Sequence, residues 1–472
     1  MGWDAGQGPL RVAIIGAGPA GFYAADALLK QTAMPVSVDM FDRLLTPFGL
    51  VRHGVAPDHL KIKTVTRAFT QTAGTPGFRF FGNVEFGRDL TVDDLRKHYH
   101  QVVFTTGAQT DRKMGIPGED LTRSHPATAF VAWYNGHPDY RDLEFDLLQE
   151  SVAIVGVGNV AIDVARILCL SHEELLRTDM PDYAVEALSN SRVKDVYLVG
   201  RRGPAQAAFT NPELKELGEL EVADVLIKPA EAELDPLSQQ DLEAANERML
   251  ATKVEMIAEY SRRAPQDREK RLHLRFLVSP TELVDDGAGG VGGMTLVKNT
   301  LRRTGSGTLS AVATGETERI PVGLVFRSVG YRGVALPGVP FQERWGVISN
   351  IEGRVTDPET DAALPGEYVA GWIKRGPSGV IGTNKPDAVE TVAAMLHDAA
   401  AGLTWAPVAA SPDSVSALLC SRGVRFTDFD DWRAIDAAEL EAGATCSRPR
   451  VKFGSKAEMW ACLGRERGRA AG

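Results

Sequence analysis

Twice in this chain an apolar run of strand character ends in a glycine turn and continues directly into a helix-forming segment. In the first, Val12 to Ile15 leads into Gly16-Ala17-Gly18-Pro19-Ala20-Gly21 and an Ala/Leu-rich run. In the second, Val152 to Val155 leads into Gly156-Val157-Gly158-Asn159-Val160-Ala161 and "IDVARIL". The pattern G-x-G-x-x-G/A in this setting specifies a strand–turn–helix unit of an open parallel sheet. Gly16 and Gly156 allow the tight turn. Gly18 and Gly158 let the backbone approach a pyrophosphate, which then sits on the helix N-terminus. Gly21 lets helix pack on strand, and Ala161 is a tolerated replacement there. Two copies predict an α/β fold with two Rossmann-like dinucleotide-binding domains.

The strand ends predict different ligands. "VSVDMFD" follows the first helix and ends in Asp42, about twenty residues past the last glycine, where a ribose-binding acid belongs. As the N-terminal unit of a chain with two, it is expected to hold FAD. After the second helix and a long crossover, "DVYLVG" runs into Arg201 and Arg202. A carboxylate there would repel a 2′-phosphate, whereas a guanidinium fork matches it and stays ionised. The second ligand is therefore expected to be NADP(H). The competing reading is that one arginine merely pairs with a surface carboxylate. Nicotinamide donates hydride and flavin accepts it, so the pair of sites points to NADPH-to-flavin transfer.

Further along, "YVAGWIKRGPSGVIGTNKPDAVETVAAMLHDA" predicts a short strand at Tyr368 to Ala370, a Gly-rich turn and a helix over Asp387 to Asp398. Free N–H groups near Gly379 to Gly382 would stabilise negative charge on a reduced flavin. Trp372 either lies against a ring system or fills core. This return toward the first nucleotide predicts a discontinuous FAD-binding domain, 1–108 and 331–404, with the NADP-binding domain, 109–330, inserted into it. Strands are expected in "LHLRFLVSPTELV", "GMTLVKNTL" and "VGLVFRSVGYRG". Residues 405–472 form a C-terminal extension expected to pack on the FAD domain, with helices in "DSVSALLCSRG" and "FDDWRAIDAAELEAG".

Composition narrows the functional class. A formal net charge of −10 argues against a general nucleic-acid binder. The four cysteines, Cys169, Cys420, Cys446 and Cys462, include no C-x-x-C pair. No zinc ribbon, iron–sulfur cluster or redox dithiol is expected, and no metal site. Apolar stretches are broken by Gly, Asp or Pro, and "MGWDAGQGPLR" does not read as a secretory signal. The expectation is a soluble, cytoplasmic protein without membrane contact.

A family resemblance follows from linked motifs: "GAGPAGFYAA", "FGLVRHGVAPDHLKIK", "RFFGNVEFG", "GVGNVAIDVARIL", "VGRRGPAQAAFTNPELKEL", "RSVGYRG" and "GWIKRGPSGVIGTNKPDA". In order and spacing the chain resembles the adrenodoxin-reductase-like ferredoxin–NADP⁺ reductases, to about residue 400. The resemblance implies FAD contacts at Ala20, Asp42, Leu50, Val84, Trp372 and Gly379 to Ile381, Val380 included. It implies NADP contacts at Asn159, Val160, Arg201, Arg202, Glu213 and Gly379. His59 matches a family histidine near the flavin and Glu216 its acidic partner, as candidates for proton handling and nicotinamide positioning. Their bland alternatives are a structural hydrogen-bonder and a helix-face acid. The implied activity is that of a monomeric ferredoxin–NADP⁺ oxidoreductase, passing electrons one at a time to a ferredoxin-type iron–sulfur protein. Ferredoxins are usually acidic, so docking calls for a local basic patch, with Lys61, Lys63, Arg67, Lys374 and Arg375 as candidates. Other readings are an NADPH-dependent flavin monooxygenase, a different FAD/NADPH reductase subunit, and a nucleotide-sensing protein without turnover. A disulfide reductase would need the cysteine pair that is missing.

Overall fold

The strand Leu10–Ile15 is buried along its whole length, which is why it reads as an unbroken apolar run rather than an alternation. In the computed structural model, which describes residues 8–409 and 411–470 (side chains to 464), it lies inside a seven-stranded sheet. Most of the N-terminal stretch read for a signal falls outside the described residues. Val36–Asp42 and Gln101–Phe104 flank the strand in parallel. Phe78–Gly82 lies beyond one and Ala363–Val369 beyond the other, both parallel. Arg354–Thr356 and Asn350–Ile351 complete the sheet as antiparallel edge strands. The helix Pro19–Lys30 packs Phe22, Ala25 and Leu28 into one core with Val392, Met395 and Ala399 of the helix Asn384–Ala400.

A second sheet has six parallel strands in the order Ser124–Pro126, Leu324–Arg327, Ser151–Val155, Asp195–Val199, Lys270–Arg275, Ala223–Ile227. The strand of the second glycine turn is again interior. One face is covered by the helix Asn159–Cys169 and its neighbours through Ile162, Ala165 and Leu168. The other is covered by a three-stranded antiparallel sheet, Val278–Asp285, Val291–Arg303 and Leu309–Ile320, through Met294, Leu296 and Ile320.

The chain divides into two compact units, each with its own core. One holds the residues up to Val55, His59–Thr110 and everything from Tyr331 onward; the other holds Ala56–Asp58 and Asp111–Gly330. The C-terminal residues join the first unit. Val415 and Leu419 of Ser414–Ser421 pack with Leu90, Leu95 and Tyr99. Phe429, Trp432 and Ile435 of Phe429–Thr445 pack with Phe48, Val51 and Phe80. Among the described residues no helix is long and apolar enough to cross a membrane, and no group of His, Cys, Asp and Glu is arranged to hold a metal ion.

Candidate functional site

The two glycine turns repeat one geometry. Gly16 has φ +110° and Gly156 φ +131°, a region closed to most side chains. A Cβ at Gly16 would stand 2.9 Å from the Thr105 carbonyl carbon, and one at Gly156 would stand 2.9 Å from that of Ser328. A Cβ at Gly21 would run into Gly16 O. The middle glycines differ: at Gly18 and Gly158 a Cβ would meet nothing within 4 Å. Both are helix N-caps without a side-chain cap and without an acid in the first turn. Other helices here do carry caps, such as Thr91 with Asp94, Ser171 with Glu174 and Asp428 with Asp431. Two uncapped N-termini, each under open space at a glycine, fit a pair of pyrophosphates.

Around the first turn the structure gathers several of the sequence candidates. Asp42 accepts from Ala17 N at 2.8 Å and Leu44 N at 2.9 Å. Burial raises its pKa against the pull of those two amides. Buried Val84 donates from its N to Asp42 O at 2.8 Å. Phe48 N donates to Ala17 O at 2.8 Å, and Leu50 opens the short helix Leu50–His53. Ala20 packs so closely on Gly371 that a Cβ added to Gly371 would stand 2.6 Å from that of Ala20. Trp372 stacks on Tyr331 with centroids 5.9 Å apart and donates from Nε1 to Ser378 O at 3.1 Å. Gly379 and Val380 are exposed, and Ile381 begins a single 3-10 turn before the helix Asn384–Ala400.

In the second unit, Arg201 is exposed and Arg202 half-buried just past the strand Asp195–Val199. Their backbone is pinned by Asn299 Nδ2 to Arg201 O at 2.9 Å and Leu277 N to Arg202 O at 3.1 Å. Arg202 donates weakly to Gln206 O at 3.4 Å. Among the described residues no carboxylate pairs with either arginine. Asn159 bridges the glycine turn to the next helix: Thr210 N donates to its Oδ1 at 3.0 Å, and its Nδ2 donates to Glu213 Oε1 at 3.2 Å. Glu213 Oε2 is buried with no hydrogen-bond partner among the described residues, a costly state unless a donor arrives. Val160 is half-buried in the first turn of the same helix.

Glu216 sits in a charge cluster that sequence reading missed. Arg166 Nη1 donates to Glu216 Oε2 at 2.8 Å, Nε to Asp58 Oδ2 at 2.6 Å, and Nη2 to Asp163 Oδ1 at 2.9 Å. Arg166 is 4% exposed. Burial alone would lower its pKa, but Asp58, Asp163 and Glu216 outweigh it and raise it. Asp58 immediately precedes His59, which N-caps the helix Leu60–Lys63 with its carbonyl. The available signal was a charged i, i+3 pair, Asp163 and Arg166, within a mostly apolar helix.

The profile of the pyridine nucleotide-disulphide oxidoreductase family matches residues 10–201. The NADPH-ferredoxin reductase FprA of Mycobacterium tuberculosis is 44% identical over 459 residues, 96% of this chain and 98% of that protein. The chain belongs to the adrenodoxin-reductase-like ferredoxin–NADP⁺ reductase family. The mitochondrial NADPH:adrenodoxin oxidoreductase of Arabidopsis thaliana is 41% identical, covering 95% of this chain and 94% of the relative. The solved structure of M. tuberculosis FprA in complex with NADPH superposes with TM-score 0.89 at 44% identity, over 96% of this chain and 98% of that one.

Two of the five basic candidates for docking, Lys374 and Arg375, are engaged within their own unit. Lys374 is 9% exposed and spent on Asp387 at 3.3 Å and Thr391 Oγ1 at 3.2 Å. Arg375 is tied to Asn384 Oδ1 at 2.9 Å and Ser378 O at 3.0 Å. Lysine and arginine in a Gly-rich turn looked like surface charge, but they hold that turn together. Lys61 and Arg67 are exposed and Lys63 half-buried.

Proposed function

We propose that the chain is an NADPH-dependent flavoprotein that passes electrons one at a time to a ferredoxin-type iron–sulfur protein. The observation carrying this reading is the contrast between the two otherwise equivalent turns: an acid at the strand end of one, and at the other two arginines that pair with no carboxylate among the described residues. The first unit is read as the FAD domain, residues 1–108 and 331–404 with the extension 405–472, and 109–330 as the NADP domain. When bound, nicotinamide supplies a hydride and flavin accepts it and releases electrons singly.

The chain's own groups bind, orient and screen. The N–H groups opening Pro19–Lys30 and Asn159–Cys169 take the pyrophosphates over Gly18 and Gly158. Asp42, already aimed by Ala17 N, takes the FAD ribose. Arg201 and Arg202 take the 2′-phosphate. Asn159 and Val160 line the second nucleotide, and the open Oε2 of Glu213 takes a hydrogen bond from it. Leu50, Val84, Ala20, Trp372 and Gly379 to Ile381 border the flavin nucleotide. His59 and Glu216 are each candidates for proton handling and nicotinamide positioning, and Arg166 holds Glu216. The protein works as a cytoplasmic monomer, and the exposed Lys61 and Arg67 meet the acidic partner.

The test is a ferredoxin panel assayed by cytochrome reduction at two salt concentrations. The reading expects NADPH- and ferredoxin-dependent reduction that slows with salt, because charge-steered docking is screened. Turnover only with oxygen and an organic co-substrate would overturn it.

A further inference from the structure

One fully buried carboxylate of the C-terminal extension reaches the wall of the first glycine turn. Glu439, on the helix Phe429–Thr445, is 0% exposed. Its Oε1 accepts from Arg52 Nη2 at 2.5 Å and Phe453 N at 2.9 Å. Its Oε2 accepts from Arg52 Nη1 and Arg450 Nη1, each at 2.9 Å. Arg450 also pairs with Asp436 at 2.7 Å, so two arginines face two carboxylates. Burial alone would raise the Glu439 pKa, but Arg52, Arg450 and Phe453 N outweigh it and hold it low. The Arg52 guanidinium lies 5.0 Å from the Trp432 ring, and its carbonyl accepts from Lys452 Nζ at 3.0 Å. Both ends of Arg52 are therefore held by the extension.

Arg52 is two residues past Leu50 and three past Gly49. A Cβ on Gly49 would stand 2.9 Å from Gly18 Cα, and Phe48 N is bonded to Ala17 O at 2.8 Å. The segment after Asp42 thus lies directly on the phosphate turn. The extension also grips this segment, and the end of the strand Phe78–Gly82, at further points. Thr427 Oγ1 donates to Leu45 O at 2.7 Å, and Lys456 Nζ to Arg43 O at 3.3 Å and Asn83 Oδ1 at 3.2 Å. Gly82 and Thr427 exchange backbone bonds of 2.9 and 3.0 Å. The loop therefore has one face on the first glycine turn and the other on a buried ion pair.

We propose that Glu439 is a positioning residue of the FAD site: through Arg52 it fixes Gly49 and Leu50 against Gly18, making the C-terminal extension a clamp that slows FAD release. The inference rests on the reading of the first unit as the FAD domain. Glu439 itself touches no cofactor.

The test uses the full chain with Glu439→Gln and, should that variant fold poorly, Arg52→Lys, which keeps the charge but loses the fork. Two readouts are taken well below the melting temperature. One is amide hydrogen exchange of residues 43–53 in FAD-free protein. The other is the rate of FAD release, followed by the rise of free flavin fluorescence. Asp398→Asn is the control, since it breaks a more exposed Arg354–carboxylate pair of 2.7 Å elsewhere in the same unit. Expected are faster exchange in 43–53 and FAD release accelerated about tenfold or more for the clamp variants alone. Unchanged exchange and release, or equal acceleration by Asp398→Asn, overturns the clamp. Wild-type protein that takes up no FAD overturns the underlying reading instead, and the exchange measurement still decides whether Glu439 holds the loop.

Discussion

Gly156 and Gly158 lie two positions apart and answer to different constraints. The first is demanded by the protein, through φ +131° and the approach of Ser328. The second is demanded by the space in front of it. Gly156→Ala should therefore lower stability, by at least about 1–3 kcal/mol for the backbone strain alone, read as a shift in the denaturation midpoint. Gly158→Ala should leave that midpoint near wild type and weaken NADPH about tenfold or more, read by titration. Equal effects on both quantities would mean that the space at Gly158 is not a ligand's. Arg202 makes a second case. Burial and then Arg201 lower its pKa, yet arginine starts high enough to stay charged at neutral pH. A charge-assisted bond is worth about 1.5–3 kcal/mol, so Arg202→Ala should weaken NADPH by about ten- to a hundredfold. NADH binding, measured in the same titration, should not change.

Among the elements, Asp111 carries a pH signature. It begins the main stretch of the second unit and accepts from Thr128 Oγ1 at 2.5 Å at the start of the helix Ala127–Tyr134. Burial pushes its pKa up to about 6, against the pull of Thr128 and Arg327. Between pH of about 4 and 6 the folded state keeps a proton that the unfolded chain has released, so stability falls as pH rises through that window. Asp111→Asn should gain on wild type by about 1–3 kcal/mol between pH 4 and pH 7, measured by urea unfolding; a pH-independent difference would contradict this. Elements of this kind differ in how far sequence reveals them. The two strand–turn–helix units are legible because their signal is local: an apolar run, fixed glycine spacing, and a charge at the next strand end. The helices Ser414–Ser421 and Phe429–Thr445 are legible from periodicity. Arg166 is not, because its partners Asp58 and Glu216 are 108 and 50 residues away. Nor is the passage of Ala56–Asp58 into the second unit, or the burial of Lys374, since only tertiary packing decides these.

At the scale of the whole molecule, one chain carries two glycine turns of the same build and opposite strand-end charge, on two sheets with separate cores. The chain crosses between its units at 110/111 and 330/331 and makes a three-residue excursion at 56–58, so the first unit is built from sequence-distant segments. Ala363–Val369 enters the first sheet more than two hundred residues after Gln101–Phe104, its parallel neighbour. A net charge of −10 means that an acidic partner must be met by local groups rather than by the overall field. The most direct test of the central claim is anaerobic mixing of the flavin-loaded protein with one equivalent of NADPH or of NADH, followed by oxidised ferredoxin, with the flavin absorbance band recorded throughout. NADPH should bleach the band far faster than NADH, and ferredoxin should restore it. Equal bleaching by both nucleotides, or a band that ferredoxin leaves bleached, would contradict that claim.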